Sequence, residues 1–450
     1  MTKVQKRKRS SKSFSSFFAG IGGFDCALDA EGFDPALQCE IDDFCQKVLA
    51  SHWPDVPLVS DITKICPDEL PESEIWCGGF PCQDVSVARG SKGRDGLKGK
   101  NSGLFYSFLE LVKAKKPETI LLENVVGLLS SHNGQDFRVV VEALTKLGYS
   151  VAWRIMNSRY FGAPQSRPRV FVCASRTSQS LPLEVLYENI IGQRPAGARK
   201  GFLAEDRCPQ TDARVANIAY CLAATSGRHT GTDWSRTYVS YEAAVRRLTP
   251  TECEGIQGFP VDWTNVGLNC DVVSLDQDSF RYKALGNAVS VPVAKWIAKR
   301  LKLALRTAKK NVRPLGIRSV QEIAPDFEHK TLRGMKLSDL HYSEAPGDAR
   351  LKWQSGGYAY RDDCWDISAP EGPAKVIQTK LINVIDKTVP DKKYFLSPNA
   401  AEGILRRVES QNRTLFPPMS AALKQMVANK SKHSLIDDKN YPESKLEEAA

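Results

Sequence analysis

Apolar positions alternate between two periods over the first 174 residues. Short apolar runs at 13–18, 36–40, 58–60, 74–77, 119–122, 151–156 and 169–174 read as strands. Between them lie segments with apolar residues three and four apart. Residues 22–30 bring Phe24, Ala27 and Leu28 onto one helix face, and 42–51 reads as a second helix. Residues 104–116 align Leu104, Phe105, Phe108, Leu109 and Val112 before Pro117 stops them, and 137–147 ends at Gly148. Strands alternating with helices predict an α/β fold built on a doubly wound, mostly parallel sheet. Ligands of such sheets sit at the carboxyl ends of the strands.

The pattern breaks after residue 174. Residues 175–245 are rich in Gly, Arg, Thr and Ser and read as a loop-rich insertion. Order returns over 246–308, with a helix at 293–305. A third region, 309–430, holds one clear helix at 398–409, capped by Ser397 with Pro398 in the first turn. The basic stretch 1–12 and the polar stretch 431–450 are expected to be disordered tails.

Charge and cysteine usage narrow the classes. A formal net charge of +10 admits a polyanionic partner without proving one. None of the 12 cysteines stands at Cys-x-x-Cys spacing, so no structural metal is expected. Free thiols and the lack of a secretory leader suit a reducing cytoplasm. No apolar run approaches the roughly 18 residues that a membrane span needs.

Four groups of residues carry chemistry. Phe18-Ala19-Gly20-Ile21-Gly22-Gly23 joins a strand to a helix, where glycines let backbone approach a ligand. Glu40 ends the next strand, where an acid commonly accepts from ribose hydroxyls, and Asp61 ends the third. Each alone is as readily a solvated loop carboxylate; three at successive strand ends are not. Cys82, in Gly78-Gly79-Phe80-Pro81-Cys82-Gln83, follows a strand and a stiffening proline, a placement that suits a nucleophile. Taken alone, a buried structural cysteine is the commoner case. Glu123, in Glu123-Asn124-Val125, offers a proton-transferring carboxyl at the same sheet mouth. In Gln165-Ser166-Arg167-Pro168-Arg169, alternation puts Gln165, Arg167 and Arg169 on one side, ready for a phosphate or a carbonyl, or for ordinary ion pairs.

Together with Arg247-Leu248-Thr249-Pro250-x-Glu252-Cys253, Gln257-Gly258-Phe259-Pro260 and Gly286-Asn287-Ala288-Val289, these motifs resemble, in order, those of the DNA cytosine-5 methyltransferase family of bacteria and phages. The resemblance covers residues 13–305. It implies a Rossmann-like methyltransferase domain, with a target recognition region in the slot occupied by the loop-rich insertion. By resemblance, Cys82 adds to cytosine C6, Glu123 protonates N3, and Arg169 holds O2 with Arg167 close by. S-adenosyl-L-methionine is implied along Phe18–Gly23, with Glu40 and Ile41 at the ribose, Asp61 and Ile62 near the adenine, and Pro81, Asn287 and Val289 completing the pocket. The implied substrate is double-stranded DNA with the target base flipped out. Gln83, Ser86 and Arg89 of the basic loop 83–97 are expected on DNA, as are Arg228 and Arg236. His229, Thr230, Asp233 and Thr237 are further candidates, most of which would only position backbone. A monomer is expected, with a cognate restriction endonuclease acting separately.

The C-terminal region departs from the simplest family pattern. Residues 394–408 resemble pieces found in or beside the recognition region of some members. Arg406, Arg407 and the aromatic stretch 353–360 are candidates for DNA contact or for a stabilising layer. An RNA cytosine-5 methyltransferase and a catalytically silent DNA-binding regulator remain rival readings.

Overall fold

The computed structural model describes residues 12–81, 104–188, 204–227, 231–267, 277–307, 332–338 and 353–437, with backbone alone at 332–333 and 431–437. The N-terminal part alternates as its periodicity predicts: β1 (Ser13–Phe17), α1 (Gly23–Ala30), β2 (Asp34–Cys39), α2 (Asp43–His52), β3 (Leu58–Val59), β4 (Ile75–Gly78), α3 (Leu104–Lys115), β5 (Thr119–Val125), α4 (Gln135–Lys146), β6 (Ser150–Asn157), β7 (Pro168–Ser175) and α5 (Leu181–Leu186). A second group follows: β8 (Glu205–Arg207), β9 (Arg214–Ala216), β10 (Tyr238–Ser240), β11 (Val245–Arg247), α6 (Pro250–Gln257), α7 (Gln277–Asn287) and α8 (Val291–Thr307). The last group is β12 (Leu332–Lys336), β13 (Gly356–Tyr360), β14 (Asp363–Ile367), α9 (Pro398–Ser410) and α10 (Pro417–Asp437).

The large sheet has ten strands in the order β12-β14-β13-β6-β7-β5-β4-β1-β2-β3. β1 to β5 are mutually parallel, whereas β7 runs against both β5 and β6. The order turns back at β1, between β4 and β2, which opens a crevice at the carboxyl edge. One face is filled by Phe17, Trp76, Phe105, Phe108 and Phe137; the other receives α1, α5 and α8 through Phe24, Leu28, Leu183, Ile297 and Leu301. The loop-rich stretch contributes a small antiparallel sheet, β11-β10-β9-β8. Among the described residues, no helix is long and apolar enough to cross a membrane.

Two boundaries differ from the sequence expectation. The insertion does not begin at 175, because α5 packs Leu181, Leu183, Val185 and Leu186 into the core of the large sheet against α8. The described part of 309–430 is not a separate third unit either, because β13 pairs antiparallel with β6 and extends the large sheet. Of the 353–360 aromatics, Trp353 and Tyr358 are core and Tyr360 is half-buried against it. Trp353 packs edge-on against Phe137 and Trp153, and its Nε1 donates to the Gly134 carbonyl at 2.8 Å. From there the chain straps along the site: Asn157 Nδ2 donates to Glu371 at 3.0 Å, and the Asp386 amide donates to Glu252 at 2.9 Å. α9 and α10 then complete a core with Tyr238 and Val245 of the small sheet. α10 runs to Asp437, past the expected start of the tail at 431.

Beneath the glycine turn, fully buried Asp25 accepts from Ser16 Oγ at 2.9 Å and Gln38 Nε2 at 2.8 Å. Burial raises its pKa to about 6, the two hydrogen bonds opposing. The folded state therefore binds this proton more tightly than the unfolded state, and stability falls as pH rises from about 4 to above 6. Asp25→Asn is expected to raise stability at pH 7.5, by about 1–3 kcal/mol. Melting curves should show that gain shrink as pH drops towards 4; a variant less stable at pH 7.5 would contradict this.

Candidate active site

The strand ends converge at the crevice. After β1 the chain turns through Phe18 at φ +52°, a left-handed conformation that costs a non-glycine residue about 1–2 kcal/mol. Gly22 takes φ +81°, where a Cβ would also lie 2.6 Å from the Trp53 ring; a Cβ on Gly23 would lie 2.8 Å from the Val289 carbonyl oxygen. The turn is thus closed from behind by the segment that follows α7. Trp263 Nε1 donates to the Ile21 carbonyl at 2.8 Å and fixes the turn from another side.

Glu40, at the end of β2, accepts from the Gly20 amide at 2.7 Å and the Asp42 amide at 2.9 Å. Burial raises its pKa above the usual carboxylate range, against the pull of those amides. Beside it Ile41 is 68% exposed, a large apolar side chain left open at the rim. Asp61 Oδ1 accepts from the Thr63 amide at 3.0 Å and hydroxyl at 2.8 Å, which lower its pKa. Ile62 is buried behind it, while Asn287 is exposed at the end of α7.

Glu123 lies in β5, 8% exposed, and its Oε1 is 3.1 Å from Arg169 Nε. Burial raises its pKa, and the guanidinium groups of Arg169 and Arg167 only partly offset this. The next residue, Asn124, donates from Nδ2 to the Phe80 carbonyl at 3.2 Å. β5 thereby fixes the direction in which β4 runs out through half-buried Pro81. Cys82, Gln83, Ser86, Arg89, Arg228, His229 and Thr230, with the loop 83–97, lie outside the described residues.

The two arginines separate in role. Arg167 is 3% exposed, and its guanidinium donates to the carbonyls of Leu222, Gly286 and Ala288 at 2.8, 3.0 and 2.9 Å. It clips the frame together, and among the described residues it reaches the Glu123 carboxylate through its charge and not through a hydrogen bond. Gln165 does similar work, donating to Ile256 and Gln257 at 3.1 and 2.8 Å. Arg169 alone of the three pairs with Glu123.

A family model described as C-5 cytosine-specific DNA methylase matches residues 12–218 and 198–303. The chain belongs to that family. Type II methyltransferase M2.BsuMI of Bacillus subtilis (strain 168) is 31% identical over 309 residues, 64% of this chain and 74% of that protein. M.Bsp6I of Bacillus sp. (strain RFL6), also a Type II methyltransferase, is 28% identical over 317 residues, 64% of this chain and 97% of its own length. M.MspI of Moraxella sp. is 29% identical over 330 residues, 68% of this chain and 75% of that methyltransferase.

This methylase is an enzyme that takes its methyl group from S-adenosyl-L-methionine. The crevice suits that group: a turn too close-packed for Cβ atoms at Gly22 and Gly23, a half-buried carboxylate between two amides, and an apolar side chain at its rim. In the loop-rich stretch, Arg236 donates to the carbonyl and hydroxyl of Thr225, the latter at 2.8 Å, and so braces its own loop. Asp233 is buried, accepting from Tyr238 Oη at 2.9 Å and Arg407 Nη2 at 2.9 Å. Arg407 is thereby a brace as well, while Arg406 stays exposed. The methylase also uses Asn124, Trp263 and Cys221 in ways that the sequence reading missed. Their only signal was position: Asn124 abuts Glu123, and the other two stand far from the residues they touch.

Proposed function

We propose that this methylase modifies C5 of cytosine in a specific duplex sequence through a transient bond from Cys82 to C6 of a flipped-out base. The observation that carries this reading is the pairing of buried Glu123 with half-buried Arg169, set beside the strand end that leads through Pro81 into Cys82. Cytosine C5 is a weak nucleophile until C6 gains an electron pair. The Cys82 thiolate supplies that pair, and Glu123, kept protonatable by burial, gives its proton to N3 so that the ring does not accumulate negative charge. Arg169 holds O2 and steadies the Glu123 carboxylate when it is left charged. The cofactor, when bound, supplies an electrophilic methyl group; Phe18–Gly23, Glu40 with Ile41, Asp61 with Ile62, and Val289 with Asn287 hold it. Loss of the C5 proton then expels Cys82 and restores aromaticity.

The loop 222–237 reads the duplex in this proposal. It leaves the two arginines at Leu222, is braced at Thr225 and Asp233, and carries Trp234 beneath the Arg413 guanidinium, 4.5 Å from the ring centroid. The same reading has the enzyme work as a monomer in the cytoplasm, a cognate restriction endonuclease acting separately. Bisulfite sequencing of plasmid from an expressing strain is expected to show cytosines protected in one short sequence. Methyl transfer to tRNA in vitro, with none to duplex DNA, would favour the RNA reading instead.

A further inference from the structure

Cys221 stands where the loop 222–237 leaves the catalytic layer, and its sulfur faces both arginines. Arg167 Nη1 donates to Sγ at 3.4 Å and Arg169 Nη2 approaches it at 3.9 Å, while Arg169 Nε lies 3.1 Å from Glu123. Four side chains on three segments thus form one contiguous polar cluster. We propose that Cys221 is a positioning residue: its sulfur holds the Nη2 edge of Arg169 so that Nε stays on Glu123, and so ties the proton-transferring pair to the loop that reads the duplex. This rests on the roles given above to Glu123 and Arg169.

The electrostatics agree. Burial resists ionisation of the Cys221 thiol, but the guanidinium groups of Arg167 and Arg169 outweigh it and bring its pKa below the usual thiol range. Among the described residues, the same two cations are the charged groups that act on Glu123. An electron-rich sulfur shares their field and leaves Glu123 easier to protonate. Without it, more of that field falls on Glu123, whose acid form is then lost at lower pH.

The test uses the full-length enzyme, duplex DNA and S-adenosyl-L-methionine. Cys221→Ala is expected to lower kcat about tenfold with the cofactor KM within about twofold, because only the reacting pair is disturbed. The alkaline limb of kcat should move to lower pH. Cys221→Ser, whose hydroxyl also accepts from arginine, should return kcat to within about threefold of wild type. If the alanine variant melts early, Cys221→Val fills the volume without an acceptor and should show the same loss. Combined with Arg169→Ala, Cys221→Ala should cost little more, since the two act as a unit. Wild-type kcat and an unshifted limb in Cys221→Ala would overturn the proposal, as would losses equal in serine and alanine and additive to Arg169→Ala. Should Arg169→Ala itself keep full kcat, the underlying catalytic reading fails; a collapse there with an unaffected Cys221→Ala sinks only the role of Cys221.

Discussion

Replacing Cys82 with serine is expected to reduce methyl transfer by at least about 10³-fold, since a serine hydroxyl forms no useful anion near neutral pH. S-adenosyl-L-methionine should still bind within about twofold of wild type, because its proposed pocket draws on other residues. Glu40 and the glycine turn are held by Gly20, Asp42, Trp53, Val289 and Trp263, none of which depends on the thiol. Methyl incorporation into duplex DNA, alongside calorimetric titration of the cofactor, reads both quantities. Substantial methylation by the serine variant would remove covalent catalysis by this residue.

Glu123→Gln and Arg169→Ala should each lower kcat by about 10²–10³-fold, the range for losing a general acid or a preorganised cation. Their pH profiles separate the roles. Because burial raises the Glu123 pKa and the acid form is the working form, wild-type kcat should fall as pH rises through that raised value. Glutamine does not titrate, so its residual activity should lack that limb. Removing the Arg169 charge takes away a lowering influence, so the limb should move to higher pH in Arg169→Ala. A limb at the same pH in wild type and Arg169→Ala would show that another group governs it.

Much of this was legible in the sequence where local rules suffice. The strands from Ser13 to Val125 announce themselves as apolar runs between turn residues, and the carboxyl-edge rule then gathers the glycine turn, Glu40, Asp61 and Glu123. The carbonyl partners of Arg167 leave no local signal, since they belong to Leu222, Gly286 and Ala288 on distant segments. β7 begins only at Pro168, and the Arg167 amide donates to Asn157 Oδ1 at 3.0 Å outside the ladder. The 353–360 aromatics were ambiguous in principle, since rings that stack on bases also fill cores. Their burial depends on β6, about two hundred residues earlier. Arg407 looked like a DNA ligand until a buried aspartate on another segment, Asp233, faced it. Long-range partners of this kind leave no periodic trace.

The bond between enzyme and base is open to direct capture. Fluorine at C5 cannot leave as a proton does, so a long duplex carrying 5-fluorocytosine throughout should arrest the reaction after methyl transfer. Incubated with the enzyme and S-adenosyl-L-methionine, it should yield a complex that survives denaturation, with mass spectrometry placing the crosslink on the peptide containing Cys82. A linkage through any other residue, or none from an enzyme that methylates ordinary duplex, would contradict the mechanism.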